Sequence, residues 1–181
     1  MGAFAGAGPG AIVSAAVRPQ LSGFPPVLAP DATVLVLGSF PGVASLNMGQ
    51  YYAHPRNQFW RLLGACLDVE ALHQMPYEER LRVAIRHRVG IWDVVATCRR
   101  QGSLDAAVTE AEVNPLAAYL KEHAPRLERI GFNGGLSWKL GHHLADYGYR
   151  VFRLASSSPA AAMYSFEQKL EQWRPLFACR S

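Results

Sequence analysis

Polar and aromatic residues cluster directly after a short apolar run early in the chain. Residues 34–37, Val-Leu-Val-Leu, lead into residues 38–42, Gly-Ser-Phe-Pro-Gly, and the segment 54–57, His-Pro-Arg-Asn, follows. An apolar run that ends in glycine is typical of a buried parallel strand that leads into a loop, and such strand ends bind ligands in open α/β sheets. The hydroxyl of Ser39 and the amide of Asn57 donate hydrogen bonds, and the ring of Phe40 can stack. This combination indicates a pocket for a nucleobase.

Other chemistries fit these residues less well. Ser39 could act as a nucleophile, but the G-x-S-x-G pattern of a nucleophile turn is absent and no His–Asp pair is spaced to activate it. The segment 38–42 also lacks the G-x-G-x-x-G pattern, and the chain has no phosphate-binding loop with its lysine. An esterase that uses Ser39 therefore stays a minor alternative, and dinucleotide or triphosphate binding is not favoured.

The composition predicts one folded domain with a basic balance. The chain has 181 residues, and half of them are hydrophobic, so a full core can form. The net charge is +4, and arginine supplies most of the positive charge because only three lysines are present. Arginine binds phosphate oxygens through a planar fork, which suits a nucleic-acid partner, although solvated helix faces are the more common explanation.

The cysteines predict neither a metal site nor a disulfide framework. Cys66, Cys98 and Cys179 lie far apart and form no CxxC pair. An odd number of isolated cysteines is typical of neither zinc and iron–sulfur sites nor disulfide-stabilised secreted domains. We therefore expect no zinc or iron–sulfur site.

The first 30 residues differ in composition from the rest. They are rich in Gly, Ala and Pro, which predicts a flexible leader over residues 1–30 and a single domain over residues 31–181. The leader has no basic start, and glycines and a proline interrupt its apolar stretch, so neither a signal peptide nor a membrane span is expected. We expect a cytoplasmic protein that does not contact a membrane.

Four short apolar runs alternate with helical patterns along the remaining chain. The predicted strands cover residues 31–37, 89–96, 129–132 and 149–154. Helices are predicted between them, and a last helix begins at Ser165, where Ser165 and Gln168 have the form of a capping box. This alternation predicts an α/β fold with three layers, α/β/α, around a four-stranded, mainly parallel sheet.

The loops after the four strands are small or polar and should meet at one edge of the sheet. They are residues 38–57, 97–102, 133–135 and 156–159. The first is long, and loops of this length inside compact domains are usually functional or disordered. Its aromatic residues favour function.

Six segments, taken in order, resemble the motifs of the uracil-DNA glycosylase superfamily, and most of all those of its hypoxanthine-DNA (deoxyinosine) glycosylase branch. The segments are residues 38–42, 51–60, 90–94, 102–105, 132–134 and 156–160. The resemblance covers about residues 31–177, and its most specific part is the first segment with the continuation Pro-Arg-Asn-x-Phe-Trp.

The resemblance implies a monofunctional DNA glycosylase of base excision repair. Such an enzyme flips a base out of DNA and hydrolyses its N-glycosidic bond without metal or cofactor. The implied partner is DNA that contains a deaminated base, with hypoxanthine as the first choice and uracil as the second. No lysine falls in a matched segment, so a Schiff-base lyase step is not expected. We expect a monomer.

One departure from the superfamily pattern means that the candidate catalytic residue lies later in the loop than the first motif. Most members have Asp or Asn as the third residue of the first motif, where it positions water, whereas this chain has Phe40. The hypoxanthine branch resembles this chain in lacking that polar side chain. Asn57 is then the candidate that orients water towards the sugar C1′, and it can also cap the following helix. An amide is a poor base, so the implied mechanism is dissociative, with departure of an anionic base before water attacks.

The resemblance also implies the contacts with the base and with DNA. The base would stack on Phe40 and form hydrogen bonds with the Ser39 region and Asn133. The side chains expected to contact DNA are His54, Arg56, Arg99, Arg100, Ser156, Ser157 and Ser158. Residues 160–163 would enter the duplex beside the extruded nucleotide.

Two further alternatives stay open. The same fold could act on another lesion, namely uracil or a G:T or G:U mismatch. The chain could also be a catalytically silent DNA-binding module, because Phe40 replaces the usual water-positioning side chain. Release of a free base from lesion-bearing DNA distinguishes these alternatives.

Overall fold

Residues 19–178, the part of the chain that the computed structural model describes, form two sheets and six α-helices. The strands are β1 Gln20–Ser22, β2 Val34–Gly38, β3 Val89–Asp93, β4 Val95–Arg99, β5 Thr109–Val113, β6 Arg129–Asn133 and β7 Arg150–Leu154. The α-helices are α1 Val43–Met48, α2 Phe59–Cys66, α3 Tyr77–Arg86, α4 Leu116–His123, α5 Gly135–Gly141 and α6 Phe166–Phe177. Short 3₁₀ helices lie at Leu72–Gln74, Asp105–Ala107 and His142–Tyr147.

The central sheet has four parallel strands in the order β3-β2-β6-β7. Every residue of β2 is buried, as expected for an inner strand covered on both faces. Its side chains alternate between the two faces, so that Val34 and Val36 belong to one core and Leu35 and Leu37 to the other. The prediction of an α/β fold with a four-stranded parallel sheet is confirmed.

Helices cover both faces of this sheet. On the Val34 face, α2, α3 and α6 bury large side chains that include Trp60 and Trp173. On the Leu35 face, α4 buries Leu116 and Leu120. Burial of each such side chain contributes about 1.5–3 kcal/mol, so the strand ends are held by two packed layers. None of the helices between residues 19 and 178 has the length and apolarity needed to cross a bilayer.

The chain enters the last helix as predicted. The Ser165 hydroxyl accepts a hydrogen bond from the Gln168 amide at 3.2 Å, and the Gln168 side chain accepts one from the Ser165 amide at 2.9 Å. The capping box is therefore confirmed, and it fixes where the chain turns back from the loop after β7.

The second strand is shorter than predicted. The apolar run 89–96 breaks at Val94, and β4 then pairs antiparallel with β1 and β5 in a separate three-stranded sheet. The Val94 amide donates to the Gly38 carbonyl at 2.9 Å, and the Val95 amide donates to the Ser39 carbonyl at 3.0 Å. Because Val94 and Val95 are both buried, the break leaves no polar signal in the sequence.

The beginning of the described chain is also more structured than predicted. Residues Gln20–Ser22 form β1, and Phe24 and Val27 pack against the core, so the flexible leader predicted for residues 1–30 is wrong over residues 20–30. Residues 1–18 lie outside the described part. The predicted long loop 38–57 likewise contains a short helix, α1.

Candidate active site

A cavity of about 410 Å³ lies at the carboxyl ends of the parallel strands. Its lining comes from within residues 38–45, 51–57, 103–106 and 156–161, together with Asp93 and Asn133. The volume falls in the range of small-molecule sites. The loops after β2, β6 and β7 therefore meet as predicted, whereas the predicted loop 97–102 does not line the cavity and residues 103–106 do.

The loop after β2 is held by hydrogen bonds to the segment that connects β4 and β5 of the second sheet. The Ser39 hydroxyl donates a hydrogen bond of 2.5 Å to Asp105, and the Val43 amide donates one of 2.9 Å to the Ser103 hydroxyl. Both contacts join residues far apart in sequence. They place Ser39, a predicted base contact, in the cavity wall with its hydroxyl already engaged by a carboxylate.

Phe40 lines the cavity but is mostly packed into the protein. It is 6% exposed and contacts a small apolar cluster with Val95 and Cys98. The guanidinium carbon of Arg100 lies 5.1 Å from the centroid of its ring. Phe40 therefore lines the cavity while most of its surface is packed against other residues. Stacking of a base on Phe40 stays a prediction.

Arg100 lies beneath the loop rather than on the DNA-facing surface. It is 4% exposed, and its guanidinium donates a hydrogen bond to the Pro41 carbonyl. Burial lowers the pKa of Arg100. The predicted contact of Arg100 with DNA is corrected, because the break at Val94 turns this segment away from the parallel sheet. Arg99 pairs with Glu110 at 2.8 Å on the second sheet and does not line the cavity.

Asn57 lies in the cavity wall at the start of α2. Its Oδ1 atom accepts a hydrogen bond of 2.9 Å from the Phe59 amide, which satisfies one free donor of the first turn. Its Nδ2 atom has no hydrogen-bond partner among residues 19–178. The side chain is therefore held in place by one atom and can bind water with the other. Neighbouring His54 also lines the cavity, while Arg56 is exposed beside it.

Asn133 joins the ends of β6 and β7. Its Oδ1 atom accepts from the Ser157 amide at 2.8 Å, and its Nδ2 atom donates to the Ser157 hydroxyl at 2.8 Å. Ser157 is only 1% exposed and its hydroxyl accepts from Asn133, so its predicted contact with a phosphate stays a prediction. Ser156, Ser157 and Ser158 all line the cavity. The predicted contact of Asn133 with the base stays a prediction. Both polar atoms of the Asn133 side chain already form hydrogen bonds with Ser157.

The cavity is also lined by two carboxyl groups that the sequence pattern did not assign to it. Asp105 accepts from Ser39, and Asp93 ends β3 with 3% exposure. Burial, and then the charge of Asp105, raise the pKa of Asp93 to about 7, whereas Arg100 acts in the opposite direction. The sequence signals for Asp93 are its position as a single acid inside an apolar run and its place in segment 90–94, one of those that resemble the superfamily motifs. No group of three potential metal ligands occurs within the described residues.

Tyr52 forms the cavity wall next to Asp93. Its ring stacks on Phe59 with a centroid distance of 3.7 Å, and its backbone has a positive φ of 56°. The hydroxyl is shielded from solvent and forms no hydrogen bond of standard geometry among the described residues. Burial raises the pKa of Tyr52, although the Asn133 side chain is close enough to lower it slightly, so the hydroxyl is a permanent donor.

Comparison with known sequences identifies the class of protein to which this fold and this cavity belong. The model of the Uracil DNA glycosylase superfamily matches residues 25–177, so the chain belongs to that superfamily. Hypoxanthine DNA glycosylases from Methanosarcina barkeri and Methanosarcina acetivorans are each 38% identical to it over 155 residues, which cover 86% of this chain and 96% of the relative.

Two further comparisons bear on fold and lesion type. The G/U mismatch-specific uracil DNA glycosylase of Schizosaccharomyces pombe is 26% identical over 178 residues, covering 87% of this chain and 53% of the relative. The solution NMR structure of a candidate uracil DNA glycosylase from Methanosarcina acetivorans superposes with a TM-score of 0.78 at 37% identity, over 87% of this chain and 96% of that one. The predicted superfamily and fold are confirmed.

Proposed function

We propose that this protein is a DNA glycosylase that extrudes hypoxanthine from DNA and hydrolyses its N-glycosidic bond in base excision repair. The observation that carries the proposal is the cavity of about 410 Å³ at the strand ends, walled by Phe40 and Tyr52 and lined by Asn57. It occurs in a chain that is 38% identical to two hypoxanthine DNA glycosylases over nearly their whole length. We further propose that the protein acts as a monomer in the cytoplasm.

Asn57 orients the attacking water in the proposed reaction. The C1′–N bond breaks with its electron pair going to the base, and water then adds to the oxocarbenium-like sugar. Asn57 cannot remove the proton of that water, but its Nδ2 atom is unpartnered and its Oδ1 atom is anchored to the Phe59 amide, so the amide holds one orientation. Donors that face the departing base stabilise its developing charge, each by about 3 kcal/mol in comparable sites.

DNA approaches the open side of the cavity. Ser156, Ser158 and His54 line the cavity and are partly exposed, and Arg56 near His54 in the chain is exposed. Met163 is 80% exposed and follows the lining residues 160 and 161. An exposed apolar side chain next to a base pocket is suited to fill the gap that an extruded nucleotide leaves in the stack.

The test is the release of base from a duplex with one hypoxanthine. Wild-type protein in excess should produce abasic sites that alkali cleaves, and Asn57→Ala should produce them far more slowly while binding the duplex equally well. Salt-dependent binding without any abasic product would instead identify a silent DNA-binding module.

Uracil opposite guanine is the second candidate substrate. It is favoured by the similarity to the Schizosaccharomyces pombe enzyme, which is named for G/U mismatches. The same cavity would hold the smaller base, so the two substrates are distinguished only by comparing their rates of release in one assay.

A further inference from the structure

Asp93 is a buried carboxyl group in the cavity wall that the reaction described so far does not use. It is the last residue of β3 and pairs with Gly38 across the sheet. Its backbone carbonyl accepts a hydrogen bond of 2.8 Å from Asn114, which fixes the end of the strand. Its Oδ2 atom is shielded from solvent and has no hydrogen-bond partner among the described residues. An unpartnered buried polar group costs about 1–3 kcal/mol, so this arrangement requires an explanation.

Asp93 and Tyr52 approach the same point of the cavity wall. A methyl group added to Gly38 would collide with Asp93 Oδ1 and would lie 2.9 Å from the Tyr52 hydroxyl. The absence of a side chain at Gly38 therefore lets two oxygen atoms from different parts of the chain lie side by side. The Tyr52 hydroxyl, like Asp93 Oδ2, is shielded from solvent and forms no hydrogen bond of standard geometry among the described residues. Stacking on Phe59 prevents the Tyr52 ring from turning away.

The surroundings of Asp93 favour its neutral form. The groups that act on it are the carboxylate of Asp105, the guanidinium of Arg100, and the phenols of Tyr51 and Tyr52. Arg100 is the only cation of this set, and its guanidinium is directed to the Pro41 carbonyl and the Phe40 ring. Burial and the negative charge of Asp105 outweigh it, so the pKa of Asp93 lies at about 7. A neutral carboxyl group is a hydrogen-bond donor, which a carboxylate is not.

We propose that Asp93 is a further catalytic residue, which in its neutral form donates its O–H to a ring nitrogen or carbonyl oxygen of the extruded purine. This inference rests on the proposed function. As the C1′–N bond breaks, its electron pair goes to the base, and the Asp93 proton passes to the base acceptor. The water that adds to C1′ releases a proton, which returns Asp93 to its neutral form. The base leaves neutral, and no other reactant is needed.

A neutral Asp93 also accounts for discrimination against adenine, the base from which hypoxanthine arises, but not against guanine, which has the same O6 and N7 acceptors. Asp93 lines the cavity and is a donor in its neutral form, and the Tyr52 hydroxyl lies near it, shielded from solvent. A 6-oxopurine has two adjacent acceptors, O6 and N7, whereas adenine has a donor amino group in place of O6. Adenine would therefore leave one O–H group facing another donor, and a site of this kind rejects the mismatched base strongly.

The pH dependence of base release tests this proposal. Wild-type protein in excess over a duplex with one hypoxanthine should release it at a constant rate below about pH 7 and about tenfold more slowly for each pH unit above. Asp93→Asn keeps an uncharged donor of the same size, so its rate should not depend on pH over this range. Asp93→Ala removes the donor and should be slower than wild type by about 100-fold at pH 6.

The outcomes separate this inference from the proposed function. If wild-type protein releases hypoxanthine at a rate that is constant or rises above pH 7, Asp93 does not act as an acid, while the proposed function stands. A falling profile that persists in Asp93→Asn assigns the ionisation to another group and also overturns the proposed role of Asp93. If no hypoxanthine is released at any pH, the proposed function itself fails. The wild-type profile does not depend on whether a variant folds, and near-UV circular dichroism verifies the fold of each variant.

Discussion

Replacing Asp93 with asparagine should stabilise the folded protein most at alkaline pH. The carboxyl group is 3% exposed, and its pKa rises from 3.8 to about 7 on folding. The folded state therefore holds a proton that the unfolded state has lost between these two values, so the stability of the wild type falls as the pH rises through this window. Asparagine cannot ionise and is free of this penalty.

The size of the effect follows from the pKa of Asp93. The raised pKa lowers the free energy of unfolding of the wild type by about 4 kcal/mol at pH 8.5, where Asp93 is ionised in both the folded and the unfolded state. At pH 5, where only the unfolded state is ionised, the loss is about 2 kcal/mol. Any constant difference between an amide and a carboxyl group at this position adds equally at both pH values. We therefore predict that the free energy of unfolding of Asp93→Asn, relative to wild type, increases by about 2–3 kcal/mol between pH 5 and pH 8.5.

Urea unfolding followed by tryptophan fluorescence measures this difference. Wild type, Asp93→Asn and the control Asp146→Asn, which changes an exposed aspartate, would be unfolded at both pH values, and equal m-values would show that the unfolded states are comparable. The control should show little change with pH. A stability gain in Asp93→Asn that is the same at pH 5 and pH 8.5 would refute the reasoning, because it would show that Asp93 does not hold its proton in the folded state.

Three further predictions concern the catalytic amide, the loop junction and the exposed apolar residue. Asn57→Ala should lower the single-turnover rate of base release by about 100-fold or more. It should lower stability by about 1 kcal/mol, because the hydrogen bond to the Phe59 amide is lost, and leave the duplex affinity measured by fluorescence anisotropy within about twofold. An unchanged rate would remove Asn57 from the mechanism. Asn133→Ala should destabilise the protein by about 2–4 kcal/mol in urea unfolding, because two hydrogen bonds to buried Ser157 are lost; a loss of activity at unchanged stability would instead indicate direct contact with the base. Met163→Ala should slow release from duplex by about tenfold and from single strands hardly at all, and equal effects on both substrates would contradict a role in filling the stack.

The parallel sheet and its helices could be predicted because their signals are local. In β2 the residues Val34, Leu35, Val36 and Leu37 are all buried, two on each face, which requires helices on both sides of the strand. The capping box at Ser165 needs only residues three apart. The strand-end loops follow from the direction of the strands, so the position of the cavity could be predicted as well.

What the sequence did not show depends on contacts between distant residues. The bend at Val94 is held by hydrogen bonds to the Gly38 and Ser39 carbonyls, which lie more than fifty residues earlier in the chain. A strand of three residues such as β1 is too short to show a period. Arg100 was expected to contact DNA, yet its guanidinium donates to the Pro41 carbonyl inside the protein. The role of Asp93 depends on the register that places it opposite Gly38.

The most direct test of the proposed function is a panel of DNA substrates in one single-turnover assay. The panel contains hypoxanthine, uracil opposite guanine, thymine opposite guanine and undamaged adenine in the same sequence context. We expect hypoxanthine to be released at least about tenfold faster than any other base and adenine not to be released. Strong release of uracil with none of hypoxanthine would contradict the choice of substrate, and the absence of abasic product from every duplex would contradict the assignment as a glycosylase.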